Sequence, residues 1–261
     1  MIDSDIILGM DTSKRPITKY LAGIVSQLEL DQPDIVSLAD IASYVSVDAN
    51  RVPPTRVAHE LKKLGWLIPT SQPGFYEFSP GANSGAFSRG GKTADIKAIA
   101  AAHPEIEWCY AFQSALYYHG IVDQLPDEPQ LSVRTNNVRN IPVTFRKYAK
   151  SAFLSRLAPQ IINGNPVERL ETLLVHICAK PGHVNDWFLY EEHLPLIWEA
   201  CDKDRIMEEL SGRSTATKNR LAYLLSGVAP DFSSKIDSAM KSPIHFYLPI
   251  DPVLIKGKDN E

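Results

Sequence analysis

The sequence predicts a mixed α/β (α+β) protein with two domains of unequal size. Residues 37–80 follow the order helix, turn, helix and tight hairpin, which is typical of a winged helix-turn-helix. Residues 80–91 are rich in Gly, Ser and Asn and have little to bury, whereas the rest of the chain mixes helix and strand patterns. We therefore expect a winged helix-turn-helix over residues 1–80, a linker over 81–93 and a larger mixed α/β C-terminal domain over 94–261.

The elements of the first domain follow from apolar spacing and turn residues. A first helix is expected within residues 12–28, where apolar side chains recur at helical spacing. The expected elements that follow are a helix from Leu38 to Val45, a helix opened by Pro53-Pro54 and ended by Leu64-Gly65, and strands 66–68 and 75–78 around the turn residues 70–74. Trp66 joins the last helix to the hairpin, so we expect it to be buried and structural.

The third helix has one apolar side and one polar side. Val57, Leu61 and Leu64 share the side expected to face the core. Arg56 lies near the helix start, where base edges are usually met, and arginine reads guanine in bidentate fashion. Lysines on this helix are expected to contact phosphate. The candidate DNA-binding residues are Arg51, Thr55, Arg56, His59, Lys62, Lys63 and Gln72.

The second domain has weaker local signals. Helices are expected over 95–102 and 112–121, the second capped at its end by His119. Residues 130–134 and 141–145 alternate with period two and predict a β-hairpin. Asn165-Pro166 followed by Glu168 predicts a helix start, with four helices to about residue 240 and a last strand over 243–249.

A basic segment is the strongest signal of the second domain. Residues 129–167 contain no Asp or Glu. On the predicted hairpin, Arg134 and Arg146 would share the solvent side with no local acid to neutralise them. This predicts a second nucleic-acid or antitoxin surface, while an ordinary solvated face stays open as the alternative. Its candidate residues are Arg134, Arg139, Arg146, Lys147 and Lys150, and Arg156 lies in the same segment.

Composition and motifs favour binding over catalysis. No apolar run approaches the roughly 20 residues that span a bilayer, and the N-terminus lacks a signal-peptide core, so we expect a cytoplasmic protein without membrane contact. The three cysteines are far apart and predict reduced, buried thiols. The histidines lack the spacing of a metal site, and the run 85–93 is not a nucleotide-binding P-loop because Ala86 stands where that motif needs glycine. No nucleophile elbow of a hydrolase and no carboxylate pair of a nucleotidyltransferase is present. We expect no cofactor, no metal and no enzymatic activity.

Several segments together resemble the AbiEi-type antitoxin family. The most specific is Ser114 to Pro126 (SALYYHGIVDQLP), which is similar to that family's Ser-Ala-Leu-x-x-His-Gly-Leu-x-x-Gln-x-Pro segment. The end of the winged domain, 61–67 with 73–78, looks like the corresponding family region, as do the blocks 167–173, 219–225 and 246–252. Gln72-Pro73 departs from the family, whose members often carry a basic residue before the wing glycine.

The resemblance implies a transcriptional autorepressor that is also the antitoxin of a type IV toxin–antitoxin pair, a system of abortive infection. Its partners would be operator DNA, expected to hold inverted repeats, and a nucleotidyltransferase toxin that it opposes without a stable complex. The residues alone leave two alternatives open. One is a winged-helix transcription factor whose second domain senses a small ligand, marked by a closed apolar pocket. The other is a nuclease or transferase tethered to DNA, which needs clustered carboxylates.

Overall fold

The computed structural model describes residues 17–45, 52–81, 90–135, 141 and 143–238. The chain divides into two compact units, Met1–Pro104 and Glu105–Glu261. The elements of the first unit are α1 (Lys19–Asp31), β1 (Ile35–Ser37), α2 (Leu38–Tyr44), α3 (Pro54–Lys63), β2 (Leu67–Pro69), β3 (Phe75–Phe78) and α4 (Lys92–Ala102).

The division between the units differs from the expected one. Helix α4 was assigned to the linker and the second domain, yet it packs against β1 and β3 and so belongs to the first unit. The physical reason is burial, since Ala94, Ile96 and Ile99 on α4 are almost fully enclosed. Most of the expected linker, residues 82–89, lies outside the described residues.

Local sequence signals explain where the first helices begin. Ser37 and Asp40 form a capping box at the start of α2, in which each side chain accepts from the other residue's backbone N–H. Pro54 stands at the first turn of α3, where its missing N–H costs nothing. The β2–β3 turn closes with a bond from Phe75 N to Gln72 O of 3.2 Å, and Gly74 adopts the positive φ of 81° that this turn requires.

The three strands form one antiparallel sheet in the order β1-β3-β2. Strand β1 was not expected from the sequence. Its central residue, Val36, is buried opposite Tyr76 of β3. Helices α1 to α3 and the sheet enclose a single apolar cluster that includes Leu28, Ile41, Val57, Leu61, Trp66, Leu67 and Phe78. The expected burial of Trp66 is confirmed, since only 6% of its surface is exposed.

The second unit is built on a five-stranded mixed sheet in the order β6-β5-β4-β8-β7. Its strands are β4 (Trp108–Tyr110), β5 (Leu131–Val133), β6 (Ala149–Ala152), β7 (Gln160–Ile162) and β8 (Asn165–Val167). Its helices are α5 (Phe112–Tyr118), α6 (Val143–Arg146), α7 (Leu170–Ala179), α8 (Trp187–Ala200), α9 (Lys203–Leu210), α10 (Thr215–Leu225) and α11 (Pro230–Ser238), with a 3-10 turn at Pro181–His183. Helix α7 is central, because every residue from Leu170 to Cys178 is buried and the helix packs against α5, α9 and α10.

Two expectations for this unit were wrong. Residues 130–134 and 141–145 do not form a hairpin: β5 pairs with β4 and β6, and 143–146 is helical, with Phe145 buried against Trp108. Residues 165–167 form β8 and not a helix start. Asn163 and Gly164 both have positive φ and turn β7 into β8, an arrangement that Asn-Gly strongly favours.

Other expectations for the second unit have mixed outcomes. His119 does end α5, as expected. Five α-helices follow residue 167 within the described residues, where four were expected. The last expected strand, 243–249, lies outside the described residues. Cys109, Cys178 and Cys201 are free and buried, as expected, and burial raises the pKa of Cys178 and Cys201 to about 12. No helix within the described residues has the length and apolar character that a bilayer crossing requires.

Candidate nucleic-acid interface

The outer side of α3 presents a row of polar and basic side chains. Val57, Ala58 and Leu61 bury the opposite side in the core of the first unit, which fixes the rotation of the helix. Most of the side chains that the sequence proposed for DNA binding are therefore exposed together, namely Thr55, Arg56, His59, Lys62 and Lys63. Arg51 lies outside the described residues.

Arg56 is linked through Glu60 to α1. Its Nε donates to Glu60 Oε1 at 3.2 Å, one helical turn away. The hydroxyl of Tyr20 on α1 donates to the other oxygen, Glu60 Oε2. The Tyr20 bond is the main cause that lowers the pKa of Glu60, with Arg56 adding to it. Burial, and then the same bond, raises the pKa of Tyr20. Glu60 therefore holds a negative charge between two donors at neutral pH.

The sequence contains a signal for one half of this link, although the pair was not predicted from it. Arg56 and Glu60 stand at the i, i+4 spacing that lets helical side chains meet, so their pairing was visible in the sequence. Tyr20 is distant in sequence, and nothing near it indicates a carboxylate partner. Only the crossing of α1 with α3 brings the hydroxyl and the carboxylate together.

The hairpin after α3 is held by its own unit. Ser71 N donates to Asp95 Oδ1 of α4 at 2.6 Å, and Leu38 N donates to Gly74 O at 3.0 Å. Gln72 is half-buried, and its carbonyl closes the turn. No Lys or Arg occurs from Leu67 to Phe78. Any phosphate contact from this hairpin must therefore come from neutral groups.

The basic segment of the second unit is not free of local acids. Arg134 is mostly buried, and its Nη1 lies 2.7 Å from Glu107 Oε2. Its Nε donates to Ser155 Oγ at 3.0 Å. Lys150 Nζ lies 3.6 Å from Glu128 Oε2. The expectation of unneutralised charge was wrong because both acids precede the acid-free segment in sequence but lie beside it in the fold.

The remaining basic residues of this segment have different surroundings. Arg146 and Lys147 are exposed at the end of α6, where Arg146 Nε donates to Ile141 O at 2.9 Å and Lys147 lies over the Tyr148 ring. Arg139 lies outside the described residues. Arg156 is tied to α9, because its N and Nε donate to Glu209 and Ser211. The predicted solvent side of the strand that leads to Arg134 is also absent, since Ser132, two residues earlier, is buried. Arg146 and Lys147 thus remain as the exposed part of the proposed second surface.

A buried Ser–His–Glu network joins the sheet to α7. His176 Nδ1 lies 2.7 Å from Glu168 Oε1, and His176 Nε2 lies 2.8 Å from Ser151 Oγ. The rings of Phe112 and Phe153 pack against the imidazole. The order resembles a catalytic triad, and sequence reasoning missed it because the three residues are spread over β6, the β8–α7 junction and α7. All three are nearly or fully buried, so the network lies inside the core, where it pairs both imidazole nitrogens and Glu168 Oε1.

One cavity of the first unit is lined by charged side chains. It lies in the first unit, has a volume of about 220 Å³ and is lined by Asp34, Glu77 and Lys97 among others. Ligand pockets are usually roughly 300–1,000 Å³ and mainly apolar. This cavity is smaller and carries charged side chains, and it lies in the first unit, whereas the ligand-sensing alternative places its closed apolar pocket in the second domain.

Comparison with known proteins identifies the second unit. Residues 109–227 match the family model described as the AbiEi antitoxin C-terminal domain. This match supports an AbiEi-type antitoxin family for the domain. The domain suggests an antitoxin of a type IV toxin–antitoxin system, and an antitoxin family implies a toxin partner.

A solved structure shares the fold over most of the chain. The crystal structure of the RV2827C protein from Mycobacterium tuberculosis superposes with a TM-score of 0.72 at 22% sequence identity, covering 88% of this chain and 84% of that one. At this identity the likeness shows a common mixed α/β fold. No curated protein matches the sequence.

Proposed function

We propose that the first unit is a winged helix-turn-helix that binds operator DNA, and that the AbiEi-type protein is both a transcriptional autorepressor and an antitoxin. The observation that carries the DNA-binding half is the exposed basic side of α3, backed by an apolar core. The element order and the β1-β3-β2 sheet support it. A winged domain needs a β-hairpin beside the second helix of its helix-turn-helix motif, and β2 and β3 follow α3 in this way.

In this proposal α3 enters the major groove and its lysines meet the backbone. Arg56 reads a base pair, while Lys62 and Lys63 at the far end of the helix contact phosphate. His59 lies between them on the same exposed side, and Thr55 comes just before Arg56. The hairpin, which has no basic residue, adds little to affinity. The binding site should be an operator with inverted repeats, bound in the cytoplasm.

Titration of the full chain with DNA from upstream of its own gene tests this half. Arg56→Ala should weaken the free energy of binding by about 1–3 kcal/mol on the preferred site and should change binding to random DNA little. Lys62→Ala and Lys63→Ala should each weaken binding to all sequences and reduce the salt slope by about one. Equal losses on both DNAs for Arg56→Ala would make it a phosphate contact and remove the specificity claim.

The second half of the proposal assigns antitoxin action to the AbiEi domain, against a toxin that is a nucleotidyltransferase. The protein acts here by binding and not by catalysis, and no stable complex with the toxin is required. Cells that express the toxin should grow when the full chain is co-expressed. Failure of the full chain to restore growth, with the protein folded and abundant, would contradict this half alone.

A further inference from the structure

We propose that Tyr20 and Glu60 brace Arg56 so that its two terminal nitrogens, Nη1 and Nη2, read a guanine in the operator. This inference rests on the proposed function, because it assumes that α3 enters the major groove. It adds Tyr20 and Glu60 as positioning residues, and Tyr20 lies outside the helix-turn-helix. It also states which edge of the Arg56 guanidinium contacts the base.

The brace follows from the way the two oxygens of Glu60 are used. Oε1 accepts from Arg56 Nε at 3.2 Å, and Oε2 accepts from the hydroxyl of Tyr20. A carboxylate that bridges two donors is restrained in rotation, and α1 is itself fixed by buried Leu21, Ile24 and Leu28. The orientation of Arg56 is thereby coupled to the core of the unit, although its side chain is 68% exposed.

The contact at Nε decides which edge of the guanidinium can reach a base. Guanidinium presents its donors in a fixed planar fork. Since Nε is directed at Glu60, the end formed by Nη1 and Nη2 is the edge that projects beyond the helix. Two parallel donors match the O6 and N7 acceptors of guanine, a pair that no other base presents in the major groove.

The charge of Glu60 opposes the main competing role of Arg56. A carboxylate beside the guanidinium is repelled by the DNA backbone, so the pair is poorly suited to sit against phosphate. Both oxygens of Glu60 are already occupied, which leaves it less able to accept from a cytosine amino group. The Arg56–Glu60 pair is therefore better suited to reading guanine than to binding DNA of any sequence through its phosphates.

The test uses the duplex that the full-length chain selects from a randomised library, with each guanine replaced in turn by 7-deazaguanine, which lacks the N7 acceptor. We expect wild type to lose about tenfold in affinity at one guanine, the value of one hydrogen bond to a charged donor. Arg56→Ala should lose this sensitivity entirely. Tyr20→Phe should reduce it to roughly threefold or less, and should lower the ratio of affinities for the selected and scrambled duplexes by about 2- to 10-fold.

The chain offers a matched control and a second variant. The Tyr44 hydroxyl donates to Asp31 Oδ2 at 3.0 Å, the same chemistry between α2 and α1 without contact to Arg56. Tyr44→Phe should leave the 7-deazaguanine effect as in wild type. Glu60→Gln tests the brace from α3 itself and should also raise affinity for the scrambled duplex. Thermal midpoints of all variants show whether the fold is intact, and Glu60→Gln decides the matter if Tyr20→Phe unfolds.

The outcomes separate the inference from the proposed function. If Tyr20→Phe and Glu60→Gln match wild type in 7-deazaguanine sensitivity while Arg56→Ala loses it, Arg56 reads guanine without a brace and the inference is overturned. If wild type shows no guanine sensitivity although it prefers the selected duplex, the inference also falls. If wild type does not distinguish the selected from the scrambled duplex, the proposed function itself fails.

Discussion

Replacing Glu209 by glutamine should destabilise the second unit more than its conservative chemistry suggests. Glu209 lies on α9 and is fully buried. Its Oε2 accepts from the backbone N–H groups of Arg156 at 2.9 Å and Leu157 at 3.1 Å. Its Oε1 accepts from Nη2 of Arg213, one turn along the chain. The carboxylate thus fastens the segment after β6 to α9.

The size of the effect follows from the direction of these bonds. Every group around Glu209 is a donor, and a carboxylate is the only side chain that accepts at both of its positions. Glutamine has the same shape but carries one NH₂, so a donor faces a donor whichever way the amide is turned. Either the two backbone N–H groups lose their acceptor, or the guanidinium of Arg213 loses the carboxylate and keeps only its bonds to the backbone oxygens of Leu154 and Glu209. Breaking a buried ion pair typically costs about 3–5 kcal/mol, and we expect Glu209→Gln to fall in this range.

Urea unfolding of the full chain, followed by circular dichroism, measures this cost. The second unit should unfold at a lower midpoint, and its thermal midpoint should drop by roughly 6–20 °C at about 2–4 °C per kcal/mol. Glu208→Gln is the matched control, because Glu208 is the exposed neighbour of Glu209, and this variant should stay within about 0.5 kcal/mol of wild type. If the two variants are equally stable, Glu209 does not fasten this segment and the reasoning is refuted.

Three further predictions concern the units and their surfaces. Trp66→Ala should lower the free energy of unfolding by roughly 3–5 kcal/mol and unfold the first unit, as followed by circular dichroism. A folded variant that only loses DNA binding would contradict this. A fragment of residues 1–104 should unfold cooperatively and bind DNA, whereas 1–80, which lacks α4, should be less stable; equal urea midpoints would show that α4 is dispensable. Replacing Arg146 and Lys147 together by alanine should impair rescue from the toxin and leave DNA binding intact; unchanged rescue by the folded variant would reduce this surface to a solvated face.

The parts of the fold that were predictable have their causes close together in sequence. Helix α3 carries its own start signal in Pro53-Pro54 and its own apolar side in Val57 and Leu61, so neither depended on distant contacts. The β2–β3 hairpin was equally visible, because Pro73-Gly74 suits only a few turn geometries.

The parts that failed depend on partners remote in sequence. Strand β1 has three residues, too few for a period to show, and exists because β3 pairs with it. Residues 165–168 have a helix-start pattern, but the preceding Asn163-Gly164 favours a hairpin. The hairpin forms because β8 pairs with β4 as well as with β7 in the sheet. The same limit applies to the candidate site: the residues on α3 were identifiable from their spacing, whereas Tyr20 was not.

Two glutamates show how burial decides what a carboxylate does in this protein. Glu60 and Glu209 each pair with an arginine four residues away, so the local sequence does not distinguish their roles. Glu60 is solvent-accessible and holds Arg56 outward, and exposed ion pairs contribute little to stability. Glu209 is enclosed and holds Arg213 against the protein's own backbone, where a lost partner cannot be replaced by water. Glu60→Gln should therefore change DNA discrimination with little change in the unfolding midpoint. Glu209→Gln should do the reverse, and a stability loss for Glu60→Gln as large as that for Glu209→Gln would show that burial is not the deciding factor.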